Sequence, residues 1–252
     1  MFRHQKELQF EAKPDKPNPL IAKYLQELIG GQYGEMSVAM QYLFQGWSCR
    51  GEEKYKDMLM DIATEELGHV EMLATMVARL LEGAPVEDQE EAMKKDPTIG
   101  AIISGMNPQH AIVAGLGPRP ADSVGNPWSG GYIIASGNML ADFRANLNAE
   151  SQGRLQVARI YEMIDDRGVK DLLSVLLARD SYHQNLWASA VKELETKEGS
   201  ILVPSTFPRE EERLDIAYDF YNFSEGDASS QGSWASGKAL DGEGEYQWLK
   251  EP

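Results

Sequence analysis

In the stretch Thr64-Glu65-Glu66-Leu67-Gly68-His69 a glutamate precedes a histidine by three positions. Residues three apart share a face of an α-helix, so Glu66 and His69 can bring a carboxylate and an imidazole to one point. Such pairs ligate metal ions inside helical bundles. Alone, the pair reads more readily as a solvated one on an exposed face. Glu35, Glu150 and His183 change that balance, because each falls near the middle of a separate helical stretch. A bundle is driest at that height, and an isolated buried carboxylate is costly unless it is paired or bound to metal. Three carboxylates and two imidazoles meeting at one level describe a two-metal site, with one glutamate able to bridge the ions.

The helices that must carry these residues are marked by proline. Of twelve prolines none lies in 20–84 or 128–203. The first helix is expected over 20–49, with Asn18 as N-cap and Pro19 in the first turn. After Arg50-Gly51 a second runs over 52–82, ended by Gly83 and Pro85. Met58, Ile62, Leu73, Met76, Val77 and Leu80 form its apolar stripe. A third is expected over 132–167. A fourth covers 169–197, with Leu172, Leu173, Leu176, Leu186 and Val191 facing inward. Segment 83–131 carries six prolines and is too long for a hairpin loop. It suits a crossover that lets the second and third helices lie parallel. The fold class is therefore all-α: a ferritin-like four-helix bundle with one long crossover. The bundle spans 20–199, preceded by a segment 1–19. Residues 200–252 form an irregular C-terminal arm whose Trp234, Tyr246 and Trp248 imply packing on a neighbouring subunit.

Other residues near the five ligands could support the chemistry. Asp180 stands three before His183, where many di-iron bundles carry a second metal-binding glutamate. Being one methylene shorter, it can stop short of a metal and act as acid or base. Tyr42 lies two turns after Glu35 on the same face, within reach of a ligand carboxylate. Gly31, Gly34 and Gly153 remove bulk near the metals and suggest a narrow channel. Arg154 could neutralise carboxylate charge. On the opposite face of the second helix, Asp57 and Asp61 share one side. With the oxygen-rich run Asn222-Phe223-Ser224-Glu225-Gly226 they suit a hard cation such as calcium. His4 and His110 read as surface or loop residues.

Composition narrows the chemistry further. A net charge of −16 argues against nucleic acid and anionic membrane surfaces as partners and favours a neutral substrate. Cys49 is the only cysteine, so no intrachain disulfide forms. No stretch reaches the length of a signal-peptide core or a membrane span, and the chain is expected to be cytoplasmic.

Over essentially its whole length the sequence resembles the manganese catalases of the ferritin-like superfamily. The likeness rests on the helix order, the crossover, the C-terminal arm, the five positions Glu35, Glu66, His69, Glu150 and His183, and the lack of a second Glu-x-x-His motif. It implies two manganese ions per chain on those residues, bridged by Glu66, and no haem. It also implies hydrogen peroxide as substrate, an outer role for Tyr42, and assembly as a homohexamer. By the same resemblance Asp180 stands where relatives place an acid/base glutamate. One calcium ion per chain would lie on Asp57, Asp61, Asn222, Ser224 and Gly226. Two alternatives stay open at this level. One is a di-iron oxidase or peroxidase on the same bundle, since ligand types do not separate iron from manganese. The other is a structural coat or shell protein stabilised by metal.

Overall fold

The structure is a computed structural model that describes residues 4–82 and 105–250. Two compact units divide the chain, Met1–Ala190 and Val191–Pro252. The first unit holds the helices that matter for the site: α1 (Pro19–Gly30), α2 (Glu35–Ser48), α3 (Glu53–Leu81), the short α4 (Pro108–Ile112), α5 (Met139–Met163) and most of α6 (Arg167–Glu198). The expected end of the second helix at Gly83 and Pro85 lies outside the described residues.

The first expected helix is in fact two. The Asn18 side chain accepts from the backbone N–H groups of Leu20 and Ile21, starting α1 where the cap and Pro19 place it. The chain then breaks at Gly31–Gly34 before α2 begins at Glu35. The Ser37 hydroxyl donates to the Gly31 carbonyl (3.1 Å), and the Trp128 indole N–H donates to Ser37 Oγ (3.0 Å). The break thus satisfies polar groups that a continuous helix would have paired internally. Gly30 has a further reason to be glycine: a Cβ there would come within 2.4 Å of Ala121 backbone in the crossover.

The third expected helix is shorter than periodicity suggests. Residues before Met139 are held extended by side chains from elsewhere. Gln41 Oε1 accepts from Ile134 N–H, Gln45 Nε2 donates to the Ile134 carbonyl, and Asp142 accepts from Ser136. Asn138 caps α5 through Ala141 N–H. Asp166 caps α6 through Val169 N–H and also accepts from Asp15 N–H, tying the N-terminal segment to the helix start.

One end of the bundle is hydrocarbon. Ile21, Leu25 and Leu28 of α1 pack with Met72, Leu73, Met76 and Leu80 of α3, Val157 and Ile160 of α5, and Leu172, Leu173 and Leu176 of α6. Leu73, Met76, Leu80, Leu172, Leu173 and Leu176 belong to the stripes read from the sequence, whereas Met58 and Leu186 of those stripes are only half-buried; burial of the cluster is the main stabilising term.

The crossover end that is described is pinned to α1. Gln26 donates to the carbonyls of Arg119 and Ala121 and accepts from Arg119 N–H. Glu27 accepts from Ser123. His110, expected as a surface or loop residue, is buried on α4 with Nε2 3.1 Å from Gln26 Oε1.

The second unit is less irregular than expected. It holds a three-stranded sheet in the order β1 (Asp219–Tyr221), β3 (Glu245–Leu249), β2 (Ser236–Lys238). β1 runs parallel and β2 antiparallel to β3, with Lys238 opposite Glu245. Strands of three to five residues in a Gly/Ser-rich run carry too little alternation to be read beforehand.

Candidate metal centre

Four helices deliver the five expected residues to one interior spot. Glu66 and His69 come from the middle of α3, Glu150 from the middle of α5 and His183 from the middle of α6. Glu35 differs from the expectation: it is the first residue of α2, because the chain breaks just before it. The break places it level with the others, and the helix N-terminus there favours a carboxylate. All five side chains are buried; Glu66, His69 and His183 have no exposure at all.

Their atoms form two groups that share one carboxylate. Glu35, Glu66 and His69 offer ligand atoms within 4.8 Å of one another, and so do Glu66, Glu150 and His183. His69 Nδ1 lies 2.7 Å from Glu66 Oε2, and His183 Nδ1 lies 2.7 Å from Glu66 Oε1. His69 Nδ1 is also 3.7 Å from Glu35, and His183 Nδ1 is 3.7 Å from Glu150. At these separations neither histidine nor Glu66 makes a hydrogen bond of good geometry; both oxygens of Glu66 and all four ring nitrogens are buried without one. Buried polar atoms are almost always satisfied. Donor atoms that face each other this closely without bonding fit cations between them.

The electrostatics agree. Burial and the neighbouring Glu66 push Glu35 up to about 8, and burial with Glu66 holds Glu150 well above the usual carboxylate range. Burial alone would raise Glu66 too, but His69 and His183 beside it hold it well below that range. Burial pulls His183 down, yet Glu65 and Glu66 outweigh it and leave it at about 10. Protons are here sharing out a charge that two divalent cations would balance, so metal uptake must displace them.

Around this core the supporting residues sort themselves. The Tyr42 hydroxyl donates to Glu150 Oε1 at 2.6 Å, as its two-turn spacing from Glu35 allowed. Burial and the Glu150 charge keep that phenol protonated. Asp180 is buried, and burial together with the charges of Glu35 and Glu66 pushes it up to about 8. Arg154 does not serve the ligands: it is exposed on α5, its Nε donating to Ser181 Oγ at 2.9 Å. The glycines sit where the chain packs closely. A Cβ on Gly31 would strike Glu27, one on Gly34 the Leu28 carbonyl, and one on Gly153 would crowd the Tyr33 carbonyl at 3.2 Å. They permit close backbone packing. Asp57 and Asp61 are exposed on α3 and belong to neither ligand group.

Two sets of residues escaped the sequence reading. Glu65 lies beside the two histidines and takes a bidentate contact from Arg179. Burial opposes its charge, but His183, His69 and Arg179 hold it well below the usual range. Its four-residue spacing to His69 was the available signal. The second set is an amide cluster in which Gln41 and Gln45 both donate to Asn146 Oδ1 at 2.8 Å, and Asn146 donates to Gln45 Oε1 at 2.7 Å. Gln41 and Gln45 are four apart on α2, and Asn146 is one turn before Glu150.

A sequence profile of the family described as "Manganese containing catalase" matches residues 1–252. The chain belongs to the manganese catalase family. It is 64% identical over 251 residues to the manganese catalase of Bacillus subtilis (strain 168), covering 100% of this chain and 91% of that protein. With the manganese catalase of Lactiplantibacillus plantarum it shares 46% identity over 229 residues, 91% of this chain and 85% of the relative. Wild-type KatB, a manganese catalase from Anabaena, superposes with a TM-score of 0.76 at 29% identity, covering 100% of both chains. The resemblance to the manganese catalases is thereby borne out, and the enzyme is a catalase with the expected ferritin-like bundle. A manganese catalase disproportionates hydrogen peroxide to water and oxygen, which decides against an iron-dependent oxidase or a purely structural shell protein.

Proposed function

We propose that this manganese catalase holds one manganese ion with Glu35 and His69 and the other with Glu150 and His183, Glu66 being shared between them. The observation that carries this assignment is the set of buried imidazole Nδ1 atoms and Glu66 oxygens facing one another unbonded. When bound, the metal pair supplies the two-electron exchange that turns one peroxide into water and a second into oxygen. Asp180 does the proton work. Its buried carboxyl lies close enough to Glu35 and Glu66 to feel their charges, so it can hold one of the two protons given up by the peroxide that becomes oxygen and return it to the peroxide that becomes water. Tyr42 fixes the orientation of Glu150 through its short hydrogen bond. Burial of the whole set favours a small neutral molecule over ions, in keeping with peroxide and with the acidic chain.

Purified protein should hold close to two manganese ions per chain, show no haem absorbance and release oxygen from peroxide. His183→Ala should lower both manganese content and oxygen release. A His183→Ala protein that keeps both ions and full activity would overturn the assignment.

The reading extends to assembly in the cytoplasm as a homohexamer, with calcium joining Asp57 and Asp61 of one copy to Asn222, Ser224 and Gly226 of another. Exposed Phe44 and Trp47, which pack edge to face on α2, support self-association. No helix among the described residues is long and apolar enough to cross a membrane. In the arm, the Asn222 side chain donates to the Gly226 carbonyl and accepts from Ser224 N–H, gathering these oxygens into one turn. A calcium-selective chelator should then shrink the particle on size exclusion and lower its melting temperature. An unchanged elution volume and melting curve would rule calcium out.

A further inference from the structure

Each imidazole of the centre lies between two consecutive glutamates of α3. On the Nδ1 side stands Glu66. On the Nε2 side stands Glu65, with Oε1 3.6 Å from His69 Nε2 and Oε2 3.3 Å from His183 Nε2. The two rings are stacked at 6.0 Å between centroids and tilted by only 26°. One carboxylate therefore spans both rings, giving one oxygen to each.

The opposite side of Glu65 is occupied as symmetrically. Arg179 Nε donates to Oε1, and Nη2 donates to Oε2 at 3.0 Å. The guanidinium lies over the Tyr182 ring at 4.7 Å. Each oxygen of Glu65 thus faces one guanidinium N–H and one imidazole Nε2. Its orientation is set by a planar fork that lysine could not reproduce.

Chemistry explains why such a group is needed. A neutral imidazole has one N–H and one lone pair. The Nδ1 atoms are the ones that approach Glu35, Glu66 and Glu150, so the lone pairs must lie there if cations are to be bound. The protons must then sit on Nε2, and each needs an acceptor. Glu65 is the carboxylate that faces both rings, at 3.6 and 3.3 Å.

We infer that Glu65, fixed by Arg179, is the positioning residue of the metal centre, selecting the Nε2–H tautomer of His69 and His183 together. The inference rests on the manganese assignment proposed above. It explains why a carboxylate and not an amide occupies position 65. Glutamine would offer one acceptor and one donor, so one ring and one N–H of Arg179 would face a donor. That ring would have to carry its proton on Nδ1 and lose its lone pair toward the cation.

The test compares wild type with Glu65→Gln and Arg179→Gln by manganese titration, electron paramagnetic resonance and helical circular dichroism. Two ions in the wild type support the underlying assignment; their absence there would defeat that assignment and leave Glu65 out of the question. Given two ions in the wild type, Glu65→Gln should bind manganese roughly 10–100-fold more weakly, the usual loss when a ligand's outer partner is removed. Its spectrum should shift from that of a coupled pair toward that of isolated manganese. Saturating manganese should restore the pair signal without a change in KM for peroxide. Arg179→Gln, with Glu65 still present, should move in the same direction by a smaller factor. Wild-type manganese affinity and an unchanged pair spectrum in Glu65→Gln would overturn the inference. Should that variant lose its helical signal, unchanged affinity in Arg179→Gln would overturn it equally.

Discussion

Helices α3 and α6 each carry two kinds of interior. Along one stretch Met72, Leu73, Met76 and Leu80 of α3 and Leu172, Leu173 and Leu176 of α6 pack with α1. Elsewhere on the same two helices Glu66, His69, Asp180 and His183 are just as buried. The hydrocarbon half gains stability from every apolar group removed from water. The charged half is costly to bury unless cations and hydrogen bonds compensate it. One half therefore holds the bundle together, and the other depends on that rigidity to keep its charges in place. Stability and metal content should be separable by substitution.

The largest expected separation sets Glu66→Ala against Leu73→Ala. Glu66→Ala removes the carboxylate common to both ligand groups and should abolish manganese binding and oxygen release while helical circular dichroism persists. Leu73→Ala should lower the unfolding free energy by about 2–5 kcal/mol through lost burial and a cavity, with manganese per folded chain unchanged. Loss of metal from a still-folded Leu73→Ala protein would show that the two halves are not separable.

Asp180→Asn sharpens the comparison within the charged half. It keeps shape and loses basicity, so the variant should retain its manganese and lose about 10²–10⁴-fold in turnover. Metal content falling in step with activity would instead make Asp180 a ligand. Tyr42→Phe comes next. It removes a hydrogen bond to a buried carboxylate, which should cost about 1–3 kcal/mol of stability with manganese retained. Chemical denaturation and metal analysis of the same preparation check both points.

The smallest effect tests the hydrocarbon half, where His110 fastens the crossover to Gln26 of α1. Burial and the nearby Arg119 charge lower its pKa. The unfolded chain therefore binds a proton at this residue more readily than the folded one. Its contribution is present above the ordinary histidine value of about 6.5 and falls as the pH drops from there toward the folded value. His110→Gln should flatten that part of the pH dependence of melting. Identical slopes for both proteins between neutral and mildly acid pH would remove His110 from the account.

Much of this arrangement was legible because period and chemistry coincide. Glu66 with His69, Glu150 and His183 sit in the middle of long helices whose apolar stripes could be counted. Glu35 was found for a partly mistaken reason. It was read as the middle of one long helix, whereas Ser37 and Trp128 stabilise a break that makes it the start of another. A side chain from the crossover satisfying a turn some ninety residues earlier leaves no local trace. The shortened start of α5 escaped for the same reason, since Gln41 takes the N–H and Gln45 the carbonyl of Ile134. Glu65 was hidden by its neighbour: one Glu-x-x-His spacing explained the doublet, and the partner that gives Glu65 its meaning, Arg179, lies on another helix.

The amide cluster of Gln41, Gln45 and Asn146 has a consequence for alignment. Hydrocarbon side chains tolerate sliding, because one apolar neighbour replaces another. Amides paired donor to acceptor do not. If α5 shifted past α2 by one helical turn, about 5.4 Å, Asn146 would leave at least one of its two glutamines and Tyr42 would leave Glu150 in the same movement. Each orphaned group would cost about 1–3 kcal/mol, so a slipped bundle is penalised several times over before any ion arrives. The three amides act as a key in a keyway: they admit one longitudinal setting of the two helices, the setting in which the ligands of α2 and α5 arrive at the same level.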